Sequence, residues 1–136
     1  MNYSLKKYDL RELLIEIVNR YPNIQAAILF GSRNFGTRSD RSDIDIILQH
    51  TGHIKPSELR NLTQELCPAL DLFLCANNVA ISCANESCVS AETFDLLIKR
   101  LNGTCLWARN AGFSSAFHNW EVYIPEGIEF PPTAIM

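Results

Sequence analysis

The sequence predicts an α/β (α+β) fold, because apolar runs of strand length alternate with segments in which apolar residues recur at helical spacing. Ile, Leu and Phe are frequent in the strand-like runs, as is usual in the strands of a packed sheet. The strand-like runs are 24–30, 43–48, 69–75 and 104–108, and the helix-like segments are 5–20, 56–66 and 90–101. We therefore expect a sheet with helices packed across it.

Local signals indicate where the helices begin and end. Asp9 or Ser4 is suited to cap the first helix, and Pro22 stops it. Pro56 opens the second helix, since proline is accommodated in a first helical turn. Gly103 fits the position after the end of the third helix. Residues 77–89 have no clear period, and the pattern assigns them no regular element.

The composition excludes several classes of protein. Of 136 residues, 47% are hydrophobic and 20% are charged, which is ordinary for a globular domain. A net charge of −3 and a pI of about 5.6 argue against direct, non-specific nucleic-acid binding, which normally uses a basic surface. No apolar run approaches the roughly 20 residues of a membrane-spanning helix, and the first residues lack the features of a signal peptide. We expect a cytoplasmic protein that does not bind membranes.

Two segments of the chain differ in character. Residues 1–107 contain the alternating strands and helices and are expected to form the functional domain. Residues 108–136 are rich in aromatic side chains and proline and are too apolar for a disordered tail. We expect this extension to pack on the domain or on a partner protein.

The cysteines and histidines do not indicate a zinc site or a disulfide framework. The five cysteines are odd in number and include no C-x-x-C pair. Cys67, Cys75 and Cys105 lie in apolar segments and are expected to be buried thiols in a reducing compartment. His50 and His53 have no further ligand near them in the sequence and are expected to be solvated loop side chains.

The second strand-like run, 43–48, carries two carboxylates on one face. Because side chains alternate along a strand, Asp43 and Asp45 project together, while Ile44 and Ile46 project into apolar packing on the other side. Neighbouring carboxylates repel each other unless a cation lies between them. Mg²⁺ carrying the phosphates of a nucleotide is the cation that best suits such oxygen ligands.

A glycine turn stands ten residues before this carboxylate pair. Gly31 and Ser32 follow the apolar strand that ends at Phe30. A Gly-Ser turn that enters a helix leaves backbone N–H groups available and allows a phosphate to approach closely. One half of this region is suited to phosphates and the other half to metal, which together predict a nucleotidyl-transfer site.

The spacing of these two halves resembles the signature of the polymerase-β-like nucleotidyltransferase superfamily. Gly31-Ser32, ten intervening residues and Asp43-x-Asp45 carry the resemblance, and each half is attached to its own apolar strand. Within the superfamily the chain looks most like the minimal nucleotidyltransferases, small antitoxin-type proteins encoded beside HEPN-domain toxins. The resemblance implies a palm domain with a small mixed β-sheet and helices packed on one side.

Further site residues follow from the resemblance. Arg33 and Ser42 fall where the family commonly has Arg and Ser, and we assign both to the nucleotide site with Gly31 and Ser32. A third sheet carboxylate is expected as a metal ligand or general base, and Asp71, at the start of an apolar strand, matches it by order. The implied cofactors are Mg²⁺, in two ions held by the three carboxylates, and ATP as substrate.

The resemblance also implies an acceptor. It is a tyrosine of a HEPN ribonuclease toxin, which would receive AMP and be silenced, so the chain would act as an antitoxin in a hetero-oligomer. An acidic chain of this length favours an acceptor that brings its own binding surface. Two alternatives stay open: neutralisation of the partner by binding alone, and nucleotidyl transfer to a small molecule such as an antibiotic.

Overall fold

The computed structural model describes residues 5–31 and 43–125. The helices in these ranges are α1 (Leu10–Arg20), α2 (Pro56–Leu66) and α3 (Phe94–Leu101). The strands are β1 (Leu5–Asp9), β2 (Ile24–Phe30), β3 (Ile44–His50), β4 (Leu70–Cys75), β5 (Val79–Ser82), β6 (Cys88–Ser90), β7 (Thr104–Ala108), β8 (Gly112–Phe113) and β9 (Glu121–Pro125).

Seven of these strands form one mixed sheet. Their order is β6-β5-β4-β3-β2-β7-β8. β3 and β4 are parallel, whereas the other neighbouring strands of this sheet are antiparallel. The parallel pair is possible because α2 crosses from the end of β3 back to the start of β4. The predicted mixed α+β fold is thereby confirmed.

Helices cover both faces of this sheet. α1 and α2 pack on one face, in a first core that contains Ile44, Ile46 and Leu48 of β3. α3 packs on the opposite face, in a second core where Leu97 joins Ile47. The expectation that the helices share one side therefore does not hold for α3. The reason is that the central strands carry apolar residues on both faces, and both faces must be covered.

The first helix is shorter than the segment 5–20 that the sequence predicted to be helical. β1 occupies residues 5–9, and α1 begins only at Leu10. Asp9 is the N-cap, as predicted, and its carboxylate accepts hydrogen bonds from the backbone N–H groups of Arg11 and Glu12 at 2.8 and 3.3 Å. β1 pairs antiparallel with β9 in a separate two-stranded sheet. A pairing over this distance in sequence leaves no local signal.

The segment after residue 107 contributes to the first core. Trp120, Val122 and Ile124 are buried there with α1. Phe113 and Phe117 lie edge-on to Trp120, with ring centroids 5.5 and 4.8 Å away. β8 also extends the main sheet beyond β7. Residues 108–125 are therefore part of the same packed structure as the helices and strands before them.

All five cysteines are free thiols. Cys67 and Cys75 are buried as expected, but Cys105 is exposed. The expectation for Cys105 is wrong because β8 pairs only with Trp107 and Ala108, so the first part of β7 has a neighbour on one side alone. Across the described ranges, no helix combines the length and apolarity needed to cross a bilayer.

Candidate active site

Three carboxylates converge at one end of the parallel strand pair. Asp45 of β3 lies directly opposite Asp71 of β4 in the register, so the two side chains leave the same face of the sheet. Asp43 stands two residues before Asp45 and joins them. One oxygen from each of the three carboxylates lies within 4.8 Å of the others. The structure thus brings together the three acidic residues predicted as a site.

The carboxylates sit beside an apolar layer that continues along the same strands. Phe30, which is opposite Asp45 on β2, meets Phe73 of β4 edge-on at 5.1 Å between ring centroids. Both rings belong to the second core, as does Ile47. The site is therefore the end of a packed surface, where the apolar side chains stop and the acidic ones begin.

Gly31 lies against the carboxylate of Asp45. Its φ is +82°, a left-handed conformation that glycine adopts without strain. A Cβ atom at this position would overlap Oδ2 of Asp45 and would stand 3.2 Å from its Cγ. The sequence pattern predicts that Gly31 lets a phosphate approach closely. The structure adds a second requirement for glycine at this position, which is room for the carboxylate of Asp45.

Asp71 has a hydrogen-bond partner that the sequence did not indicate. Ser82 of β5 donates from Oγ to Oδ1 of Asp71 at 2.7 Å, and Ser82 is only 1% exposed. Burial raises the pKa of Asp71 above its ordinary value, and the bond from Ser82 opposes this rise. Ser82 lies in the stretch 77–89, where no period marked a strand, so the pattern offered no signal for it.

The neighbouring thiol of Cys83 is buried and is not one of the three clustered ligands. Burial, together with the nearby charge of Asp71, raises the pKa of Cys83 to about 12. A thiol with this pKa stays protonated at neutral pH and is a poor nucleophile. Among the described residues, the group close enough together to hold a metal ion consists of the three carboxylates and does not include Cys83.

Comparison with known families identifies this arrangement. A family model described as "Polymerase beta, Nucleotidyltransferase" matches residues 12–96, which is more than half of the chain. This range contains Gly31 and all three carboxylates. The chain belongs to the polymerase-β nucleotidyltransferase family.

A solved structure supports the fold of this nucleotidyltransferase. It is the 1.40 Å crystal structure of a candidate nucleotidyltransferase from Sulfolobus solfataricus, with a TM-score of 0.51 and 20% sequence identity. The similarity covers 77% of this chain and 82% of that chain. At this identity the similarity bears on the fold alone. None of the curated proteins matches the sequence significantly.

The donor set of the nucleotidyltransferase fits a hard divalent cation. Three carboxylates supply oxygen ligands only, which is the chemistry that Mg²⁺ prefers. Their mutual repulsion falls when a cation lies between them. Among the residues that the structure describes, Asp43, Asp45 and Asp71 are the acidic, histidine or cysteine side chains that lie close enough together to hold a metal ion. His50, which was expected to be a solvated loop side chain, is instead a buried residue at the end of β3.

Part of the predicted nucleotide site lies outside the described residues. Ser32, Arg33 and Ser42 fall in the range 32–42, so their assignment stays a prediction. Gly31 and Asp43 flank that range in the sequence, and both lie at the described site.

Proposed function

We propose that the chain is a Mg²⁺-dependent nucleotidyltransferase that transfers a nucleoside monophosphate from a nucleoside triphosphate, with ATP as the substrate, to a hydroxyl group. The observation that carries this proposal is the convergence of Asp43, Asp45 and Asp71 within 4.8 Å on neighbouring strands of a chain of this family. A structural role alone does not explain three adjacent carboxylates, because grouping like charges destabilises the fold.

The proposed reaction is an in-line displacement at the α-phosphorus. The acceptor hydroxyl oxygen forms a bond to phosphorus, the bond from phosphorus to the bridging oxygen of the β-phosphate breaks, and pyrophosphate leaves with that electron pair. Asp43 and Asp45 hold the metal site, and Asp71 completes it and takes part in removing the hydroxyl proton. When bound, two Mg²⁺ ions neutralise the charge on the attacking and leaving oxygens.

The nucleotide phosphates are assigned to the turn that follows β2. Gly31 has the left-handed backbone that such a turn requires. The proposal gives Ser32, Arg33 and Ser42 to the same phosphate site, because hydroxyls and guanidinium groups donate hydrogen bonds to phosphate oxygens. ATP is proposed on the resemblance to minimal nucleotidyltransferases, which also supports AMP as the transferred group.

For the acceptor, we infer a tyrosine of a HEPN-type toxin encoded nearby, which AMP transfer would silence. The resemblance of Ile28–Leu48 to minimal nucleotidyltransferases supports this role as an antitoxin in a hetero-oligomer. The net charge of −3 is consistent with a protein acceptor in preference to a polyanionic nucleic acid. Five free thiols are consistent with the proposed cytoplasmic location.

The test is intact mass spectrometry of the protein mixed with the product of its neighbouring gene, ATP and Mg²⁺. We expect one or more AMP additions on the neighbour. Asp43→Asn and Asp45→Asn should lose the addition, whereas Asp95→Asn, on the exposed surface of α3, should keep it. A stable, neutralised complex without any addition would favour binding alone, and transfer that persists in Asp45→Asn would show that the site is misassigned.

A further inference from the structure

Ser82 is a buried side chain that contacts the carboxylate cluster from a neighbouring strand. It belongs to β5, next to β4 in the sheet, and is 1% exposed. Its Oγ lies 2.7 Å from Oδ1 of Asp71. A buried hydroxyl this close to a site carboxylate can serve the fold, the site, or both.

The other contacts of Ser82 determine the direction of this hydrogen bond. A serine hydroxyl has one proton and two acceptor lone pairs. The backbone N–H groups of Ala84 and Asn85 donate to Oγ of Ser82 at 3.1 and 3.4 Å. Because these groups occupy the acceptor side, the one proton of Ser82 points to Asp71. The hydroxyl therefore donates to the carboxylate.

A short turn holds the hydroxyl in this position. The N–H of Ser82 donates to the carbonyl of Ser87 at 2.8 Å, and the carbonyl of Ser82 accepts from the N–H of Glu86 at 3.1 Å. The N–H of Ser87 also donates to the side chain of Asn85 at 2.9 Å. These bonds fix the backbone at Ser82, and rotation of its side chain away from Asp71 would break the hydrogen bonds that backbone N–H groups donate to Oγ.

We propose that Ser82 is a positioning residue of the metal site: it holds Oδ1 of Asp71 and leaves the other carboxylate oxygen of Asp71 for the cation shared with Asp43 and Asp45. This inference rests on the proposed metal-dependent function. Residues that orient a metal ligand from behind typically contribute about 10–100-fold to metal affinity or activity. Ser82 thus makes no contact with substrate and acts through Asp71.

The experiment is a titration of the purified full chain with MnCl₂, followed by calorimetry, in parallel with thermal unfolding of each variant. We expect Ser82→Ala to weaken Mn²⁺ binding about 10-fold or more. Ser82→Cys, which keeps the size of the side chain but donates weakly, should give an intermediate loss and guards against failure of Ser82→Ala to fold.

Thr63→Val is the matched control for loss of a buried hydroxyl. Thr63 is 5% exposed and donates to the carbonyl of Arg60 at 2.8 Å, within α2 on the opposite face of the sheet. It should lose thermal stability but keep the affinity for Mn²⁺. If Thr63→Val weakens Mn²⁺ binding as much as Ser82→Ala does, the effect is general destabilisation and the inference is overturned.

A double-mutant cycle shows whether Ser82 acts through Asp71. In an Asp71→Asn background, Ser82→Ala should reduce Mn²⁺ affinity no further, because the ligand that it positions is already lost. Additive losses would overturn the inference. The outcomes separate the two proposals: wild-type protein that binds no Mn²⁺ refutes both, whereas binding that depends on Asp45 but not on Ser82 refutes only the positioning role.

Discussion

The two faces of the central sheet are built from the same strands and serve different ends. On the first face, Ile44, Ile46 and Leu48 of β3 are fully buried under α1 and α2. On the second face, the same strand carries Asp45 and then Ile47, and α3 covers only the apolar part. Successive residues of β3 thus alternate between the first core and the face that carries the site. The first face of β3 contributes to the stability of the fold, whereas the second face carries the site.

The largest expected effect separates function from stability on β3. Asp45→Asn should lower nucleotidyl transfer by at least about 100-fold, since a metal ion contributes several kcal/mol of charge stabilisation. Thermal unfolding should show a fold that is intact, because the substitution keeps the size of the side chain and removes a charge from a crowded acidic cluster. Loss of folding in Asp45→Asn would contradict the division between the two faces.

The adjacent position should show the reverse. Ile46→Ala should reduce the free energy of unfolding by about 2–5 kcal/mol, because it leaves a cavity in the first core. Ile81→Ala, at a position that is 45% exposed, is the control and should change stability by less than about 0.5 kcal/mol. Denaturant unfolding measures both. In the folded fraction of Ile46→Ala, Mn²⁺ affinity should match that of the wild type.

Gly31→Ala tests the contact between the turn and the site. Gly31 and Gly112 have φ values of +82° and +79°, so alanine should cost a similar backbone strain of about 1–2 kcal/mol at each. Only at Gly31 does the added Cβ meet Asp45, since nothing lies within 4 Å of it at Gly112. We expect Gly31→Ala alone to weaken Mn²⁺ binding. Equal Mn²⁺ affinity in the two variants would show that the contact has no role.

The smallest expected effect is on the pH dependence of folding stability in the absence of metal. Burial raises the pKa of Asp71 in the folded state, because the buried carboxyl is more favourable when it is protonated. The stability that this protonation gives is fully present below the unfolded-state pKa and is lost as the pH rises through the folded-state pKa. Asp71→Asn should therefore be more stable than the wild type at pH 7 in a chelating buffer. The difference should disappear at about pH 3, below the ordinary pKa of aspartate.

Thermal unfolding of wild type and Asp71→Asn across this pH range measures the difference. Added Mn²⁺ should reverse the order at pH 7 by stabilising only the wild type, since a ligand that binds the folded state raises its stability. A wild type that is more stable than Asp71→Asn at pH 7 in chelator would contradict the cost of burial assigned to this carboxylate.

Local pattern predicted those parts of the molecule that local physics determines. Alternation along one strand was enough to separate Asp43 and Asp45 from Ile44 and Ile46. β2 and α2 were predicted with the bounds that the structure shows. Each of these elements is specified by residues within a few positions of one another.

Features that depend on distant pairing escaped prediction. Ser82 reaches Asp71 only because β5 pairs with β4, and the short strands β5 and β6 have little periodic signal. His50 was expected in a loop, but it continues β3, where pairing with Ile24 of β2 extends the strand. The placement of α3 opposite α1 and α2 depends on the path of the whole chain, which no window of the sequence contains.

The ribbon of β1 and β9 has a consequence for folding during synthesis. Lys7 and Glu121, joined by a side-chain contact at 3.3 Å, are 114 positions apart, and the N–H of Leu10 donates to the carbonyl of Trp120. While the ribosome is still adding the residues of β9, Trp120, Val122 and Ile124 are missing from the first core, and the apolar side chains of that core are only partly covered. Closure of so long a loop is slow. The nascent chain should therefore need protection from aggregation until β9 has emerged.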